Sequence, residues 1–174
     1  MSSELKQPHF RFLPRAYELD GVFEKTDATC PVYQTAAGWR YVGSIYSNFR
    51  GEIQPGAQSI LDRKLGRALG DDDYTLHDAE FSDALNADLE AEILQGTPGF
   101  PTYNPFTWPV RDDFPLAFIG YGDEAWVKDD KKARAAIAAA GQTLGEEDWD
   151  YPTSYALIFR TLDGETYAAE IDLD

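Results

Sequence analysis

The spacing of hydrophobic positions along this chain changes several times, and each change marks an element. Residues 1–8 carry no periodicity and read as a flexible N-terminus; Phe10, Phe12 and Leu13 then begin an alternation toward a core. Trp39 to Tyr46 combines aromatic and β-branched residues between Gly38 and Ser47-Asn48, which predicts a strand. Ile60, Leu61, Lys64, Leu65 and Ala68 have helical spacing with Gly70 as the stop, so a helix is expected over about 58–69. From Asp78 to Leu94, Phe81, Leu85, Leu89 and Ile93 recur every four residues among Ala84, Ala87 and Ala91, predicting a second helix with Glu80, Asp83 and Glu90 on its opposite side.

Residues 96–115 hold Gly96, Pro98, Gly99, Pro101, Pro105, Pro109 and Pro115 among Phe100, Tyr103, Phe106 and Trp108. That density of prolines predicts a packed irregular loop, whose aromatics either cover the core or stand out as anchors for a partner. Leu116 to Tyr121 reads as a buried strand and Lys128 to Ala140 as an Ala-rich helix. Tyr155–Leu162 and Thr166–Leu173 alternate as strands about Asp163-Gly164, the strongest short hairpin signal in the chain. Strands first, helices centrally and a hairpin last predict an α+β fold, a mostly antiparallel sheet with two or three helices and a C-terminal β-hairpin.

Composition adds the scale. With 174 residues, 43% of them hydrophobic and 24 of them aromatic, the chain is expected to bury one core as a single domain over 9–174. No apolar run reaches the 18 or so residues of a membrane span, Met-Ser-Ser-Glu-Leu-Lys-Gln lacks the features of a signal peptide, and Cys30 is a lone cysteine. These features lead us to expect a cytoplasmic protein. The formal charge of −16, from 31 acidic and 15 basic residues, disfavours nucleic acid and anionic membranes as partners and favours a cationic one.

Catalytic chemistry finds little purchase. His9 and His77 stand in unrelated settings, and the common nucleotide, hydrolase and zinc-protease motifs are absent. Asp71-Asp72-Asp73 lacks the alternating ligands and the glycine turn of a calcium loop, so a solvated acidic turn is expected there. No catalytic residue, cofactor or metal is assigned. The constellation that remains is electrostatic: Asp71, Asp72, Asp73, Asp78, Glu80, Asp83, Asp88, Glu90 and Glu92 fall within 71–92 with no Lys or Arg among them. Glu146, Glu147, Asp148, Trp149 and Tyr151 form a second patch, mixing carboxylates with the aromatic residues that dominate protein–protein hot spots. The expected partner-binding residues are Asp71, Asp72, Asp73, Asp78, Glu80, Asp83 and Glu90 with Glu146, Glu147, Asp148, Trp149 and Tyr151.

Phe10-Arg11-Phe12-Leu13-Pro14, Thr29-Cys30-Pro31-Val32 and Tyr41-Val42-Gly43-Ser44-Ile45-Tyr46-Ser47 resemble, in order and spacing, the CbrC-like proteins of bacteria. These are colicin-tolerance-like proteins, met also as immunity proteins of toxin systems. Gly96-Thr97-Pro98-Gly99-Phe100, Trp108, Ala117-Phe118-Ile119-Gly120 and Phe159-Arg160-Thr161-Leu162 extend the resemblance over residues 8–174. The family's zinc knuckles are degenerate here. Cys30 is followed by Tyr33 where the second thiol belongs, Gln54-Pro55-Gly56-Ala57 stands for C-P-W-C, and the later ligand positions fall near Arg111, Asp112, Leu116, Thr161 and Gly164. A structural zinc site needs four deprotonated ligands, so the resemblance implies the fold and a binding role without the metal.

The leading expectation is therefore a cytoplasmic immunity protein that neutralises a basic toxin domain, most simply a nuclease. A stress or envelope-tolerance protein acting through a regulatory partner is the alternative, and an enzyme with an unrecognised carboxylate site is the third reading.

Overall fold

In a computed structural model, the described residues are 7–29, 34, 36, 38–47, 74–143 and 150–172. The helix expected over 58–69, Cys30, Asp71-Asp72-Asp73 and Glu146 to Trp149 lie outside them, as does the side chain of Tyr151. The fold is α+β and mostly antiparallel, as its sequence predicts. The described strands are β1 (Phe23–Lys25), β2 (Trp39–Tyr41), β3 (Tyr46–Ser47), β4 (Tyr74–Thr75), β5 (Ala79–Phe81), β6 (Phe106–Trp108), β7 (Val110–Arg111), β8 (Phe114–Pro115), β9 (Ala117–Tyr121), β10 (Ala156–Arg160) and β11 (Tyr167–Ile171). The described helices are α1 (Ala87–Gly96), α2 (Lys131–Thr143) and α3 (Asp150–Ser154), with a 3₁₀ turn at Ala125–Lys128. None of the described helices is long and apolar enough to cross a membrane.

Packing divides the chain into two compact units interleaved in sequence. The first is Met1–Phe10, Ala16–His77 and Glu90–Pro101; the second is Arg11–Arg15, Asp78–Leu89 and Thr102–Asp174.

In the first unit, β1 and β2 pair antiparallel with Phe23 opposite Tyr41. Trp39 to Tyr46 is therefore not one strand. The chain breaks after Tyr41, whose hydroxyl donates to the Ser44 carbonyl at 2.6 Å, and resumes as β3. Phe10, Tyr17, Phe23 and Tyr41 form a continuous aromatic cluster with centroid spacings of 6.2, 5.0 and 5.8 Å, Tyr17 stacked on Phe23 and Tyr41 edge-on to it. The buried Tyr41 oxygen also accepts from the Gly99 N–H at 3.0 Å, tying β2 to the segment after α1. Gly99 is required there because a Cβ would meet the Leu76 carbonyl oxygen and the Tyr41 hydroxyl. Tyr41→Phe would leave a buried N–H without this acceptor, so the variant should lose about 1–3 kcal/mol of unfolding free energy. Urea denaturation reads the loss, and an unchanged midpoint would show that this hydrogen bond does not stabilise the fold.

The second unit is built on a three-stranded antiparallel sheet in the order β11-β10-β9. Ile119, Ala156 and Ile158 pack with Val127, Ala133 and Ile137 on the face covered by α2. The four-residue spacing of Ala133, Ile137 and Gly141 gives α2 its buried stripe. Asp130 starts this helix: its carboxylate accepts from the Lys132 and Ala133 N–H groups at 2.9 and 3.0 Å. That cap displaces the expected start at Lys128 to Lys131. On the opposite face, Phe118, Phe159, Trp108 and Phe106 form a second aromatic layer, with Trp108 to Phe159 at 5.4 Å and Phe118 to Phe159 at 5.5 Å.

Asp78 to Leu94 is not a single helix, because Ala79–Phe81 pairs in parallel with Phe106–Trp108. The Phe106 N–H donates to the Asp78 carbonyl and the Ser82 N–H to the Trp108 carbonyl, bonds that a helix would forfeit. Asn86 then caps α1, its side-chain oxygen accepting from the Leu89 N–H at 2.9 Å, so only Leu89 and Ile93 of the four-residue series are core positions on a helix. Residues 96–115 are not wholly irregular either, since β6 and β7 fall between prolines and β8 ends on Pro115. A short strand tolerates a proline at its end, as β8 does at Pro115, and Pro109 separates β6 from β7.

Candidate functional site

Asp78, Glu80, Asp83 and Glu90 are the expected partner-binding residues with described side chains, and all four are exposed. They do not form one helical face. Glu80 is the exposed residue of β5, between half-buried Ala79 and Phe81, and exposed Asp78 immediately precedes the strand. Asp83 follows in the turn, its carboxylate accepting from the Ala84 N–H at 2.8 Å. Glu90 lies on α1 and belongs to the first unit. Asp88 stands in the first turn of α1, where an acidic side chain complements the helix dipole, so its placement has a structural reason.

A second constellation, within the second unit, gathers at one end of the β9-β10-β11 sheet. Antiparallel pairing brings together the end of β9, the start of β10 and the end of β11, which places Tyr121, Tyr155 and Asp172 side by side. The Asp172 N–H donates to the Tyr155 carbonyl at 2.8 Å and the Gly122 N–H to the Ala156 carbonyl at 2.9 Å, closing that end. The Asp172 carboxylate is buried and accepts from the N–H groups of Tyr103 and Asn104 at 2.5 and 2.9 Å. It thereby clamps the loop that carries Tyr103. The Tyr103 ring is 76% exposed and meets Tyr155 edge-on at 5.9 Å.

Beside them, Arg15 and Glu124 form a two-pronged ion pair with contacts of 2.8 and 3.2 Å, and Arg15 also donates to the Ile119 carbonyl at 2.7 Å. Burial pushes the Glu124 carboxyl upward, but hydrogen bonds from Arg15 and the Tyr121 N–H outweigh it and hold the group below its ordinary range. Gly120 makes room for this pair, since a Cβ there would run into Glu124 and Arg15. Burial first, then the charges of Glu124, Asp172 and Asp123, hold the Tyr121 hydroxyl above its ordinary pKa, so it stays a protonated donor. Leu157 opposes both Tyr121 and Glu170, so these three share one row across the sheet; burial raises the Glu170 carboxyl. Phenols and carboxylates in this arrangement suit the recognition of a cation.

The positions that the resemblance assigns to later zinc ligands hold other chemistry. Arg111 ends β7 and Asp112 follows it in the turn to β8, and the Leu116 carbonyl accepts from the Trp108 indole N–H at 2.8 Å. Thr161 and Gly164 build the hairpin connection, the Gly164 N–H donating to the Thr161 carbonyl at 2.8 Å. Among the described residues, no group of three or more His, Cys, Asp or Glu side chains is placed to hold a metal ion.

Tyr155 and Asp172 fall inside the strands expected over Tyr155–Leu162 and Thr166–Leu173, and nothing in the sequence marks either as a site residue; in the structure they flank β10 and β11. Tyr103 was one of several aromatics in the proline-rich segment, and only the clamp by Asp172 distinguishes it. Asp123, in the turn after β9, had no sequence signal beyond its charge.

No family model matches the chain, and no solved structure matches it. A relative, UPF0167 protein PA1536 of Pseudomonas aeruginosa, is 34% identical over 119 residues, which cover 65% of this chain and 63% of that protein. The chain is thus similar to that protein over somewhat less than two thirds of the relative's length.

Proposed function

We propose that this chain is an immunity protein that acts in the cytoplasm, binding and neutralising a basic toxin domain, with a nuclease as the preferred target. It works by occupancy and not by catalysis, and it uses no cofactor. The observation that carries this reading is the exposed acidic edge of Asp78, Glu80 and Asp83 in a chain of formal charge −16. A nuclease presents cationic side chains to phosphate, and an array of carboxylates occupies or screens that surface. The resemblance to the CbrC-like proteins supplies the biological setting.

Opposite fields steer such an encounter toward about 10⁸–10⁹ per molar per second at low salt, fast enough to precede cleavage of nucleic acid. The triple variant Asp78→Asn, Glu80→Gln, Asp83→Asn should therefore slow association with the captured toxin domain by about tenfold or more at low salt, with a smaller change in dissociation. Stopped-flow fluorescence measures both rates. Unchanged association would show that this edge is not the steering surface, and rescue of growth in cells expressing the toxin tests neutralisation itself.

A further inference from the structure

The sheet end of the second unit offers more than a negative field. We propose that Tyr103, Tyr121, Tyr155 and Asp123 form the seat for an arginine side chain of the partner; this assignment rests on the cationic-partner reading above and specifies where it is read.

Three observations combine. First, Tyr103 holds an exposed ring on a loop whose backbone is fixed by the buried Asp172, so presenting the ring to a partner requires little further ordering. Second, Tyr155 stands edge-on to Tyr103, and Tyr121 ends the neighbouring strand, so phenol rings from three segments converge on one end of the sheet. Third, Asp123, Glu124 and Asp172 are gathered here with Arg15, whose guanidinium is engaged by Glu124 and the Ile119 carbonyl. Negative charge at this end thus exceeds the positive charge supplied by Arg15.

Aromatic faces beside carboxylates select for a planar cation. An arginine guanidinium stacks on a tyrosine ring and donates in a fork to a carboxylate; a lysine ammonium is more strongly hydrated and stacks less well. Asp123 is exposed in the turn between Tyr121 and Glu124, available to accept from a guanidinium at the rim. Tyr and Arg are also the residue types enriched where interface energy concentrates.

The test is an NMR titration of the ¹⁵N-labelled full chain with an alternating arginine–glycine peptide, and with its lysine–glycine counterpart, at about 0.15 M salt, where exposed charges more than ~8 Å apart are largely screened. The expected result is saturable shifts at the amides of Tyr103, Asn104, Asp123 and Tyr155, with the arginine peptide bound about threefold or more tightly than the lysine one. Tyr103→Ala should weaken binding about fivefold, whereas Tyr103→Phe should retain it, because the ring and not the hydroxyl is used. Saturable shifts confined to the Asp78–Asp83 segment, indifferent to Tyr103→Ala, would overturn this placement and leave the cationic partner standing. No saturable shift with either peptide would overturn both.

Discussion

Trp108→Ala is expected to lower the unfolding free energy of the second unit by about 3–5 kcal/mol, the range for removing a large aromatic from a packed core. Trp108 is fully buried, stands edge-on to Phe159 at 5.4 Å and lies 5.9 Å from Phe106. Its indole N–H donates to the Leu116 carbonyl at 2.8 Å, fixing the entry into β9. As the last residue of β6, it also pairs with Phe81 in the parallel ladder. Alanine removes the packing, leaves a cavity and deprives the Leu116 carbonyl of its donor. In a scanning calorimeter the transition should fall by roughly 6–20 °C. Trp108→Phe should cost less, because it keeps part of the volume and loses the hydrogen bond. An alanine variant within about 1 kcal/mol of the parent would contradict the placement of Trp108 at the centre of this layer.

The second large effect is a loss of stability in mild acid, set by His77. This side chain is buried in the first unit and hydrogen-bonds through Nε2 to the Thr97 carbonyl at 2.9 Å, which requires the Nε2–H tautomer as donor. Burial pushes its pKa down to about 4, against a smaller upward pull from the Thr97 carbonyl. The unfolded chain binds this proton near the ordinary value of about 6.5. Between the two values the unfolded state holds more protons, so stability is full above about pH 6.5 and falls as the pH drops toward 4. The total loss is about 3 kcal/mol. Glu170 has the opposite sign, since burial raises its carboxyl pKa and protonation relieves the cost of burying its charge. The difference between the parent and His77→Gln isolates the histidine. Urea midpoints measured from pH 7.5 to 4.5 should fall steeply for the parent and more gently for the variant; parallel curves would mean that His77 keeps its unfolded-state pKa in the fold and would contradict its burial.

The legible parts of this fold are those where local chemistry and tertiary packing agree. The hairpin of β10 and β11 is centred on Asp163-Gly164 because Gly164 takes a positive φ of 78° and the Asp163 carboxylate accepts from the Glu165 N–H at 2.9 Å, both local requirements that residue type reveals. The α2 stripe and the buried β9 were legible for the same reason, as each is a short run whose neighbours do not compete. The stretch from Asp78 was misread because Phe81 and Leu85 match the four-residue spacing by coincidence. What decides that stretch is its pairing with β6, 27 residues away by the register of Ala79 with Phe106, and no local pattern carries such information.

The candidate site divides in the same way. Its charge was visible, because acidic residues are countable. Its geometry was not, because the acidic edge lies on a strand and turn rather than on a helix. The tyrosine-rich sheet end depends on a buried aspartate, Asp172, reaching back to the Tyr103 and Asn104 amides. A carboxylate that acts by clamping a loop is indistinguishable in sequence from one that faces solvent. The clamp nevertheless turns one of 10 tyrosines into a presented ring.

The central claim is that the partner is a basic toxin domain held by charge and aromatic contact. Its most direct test is capture of partners from native host lysate with the tagged full chain, eluted stepwise from low to moderate salt and identified by mass spectrometry. The expected result is a basic toxin domain whose recovery falls as salt rises. Recovery of only an acidic regulator or an envelope component, or of no specific partner while the protein is folded, would contradict it.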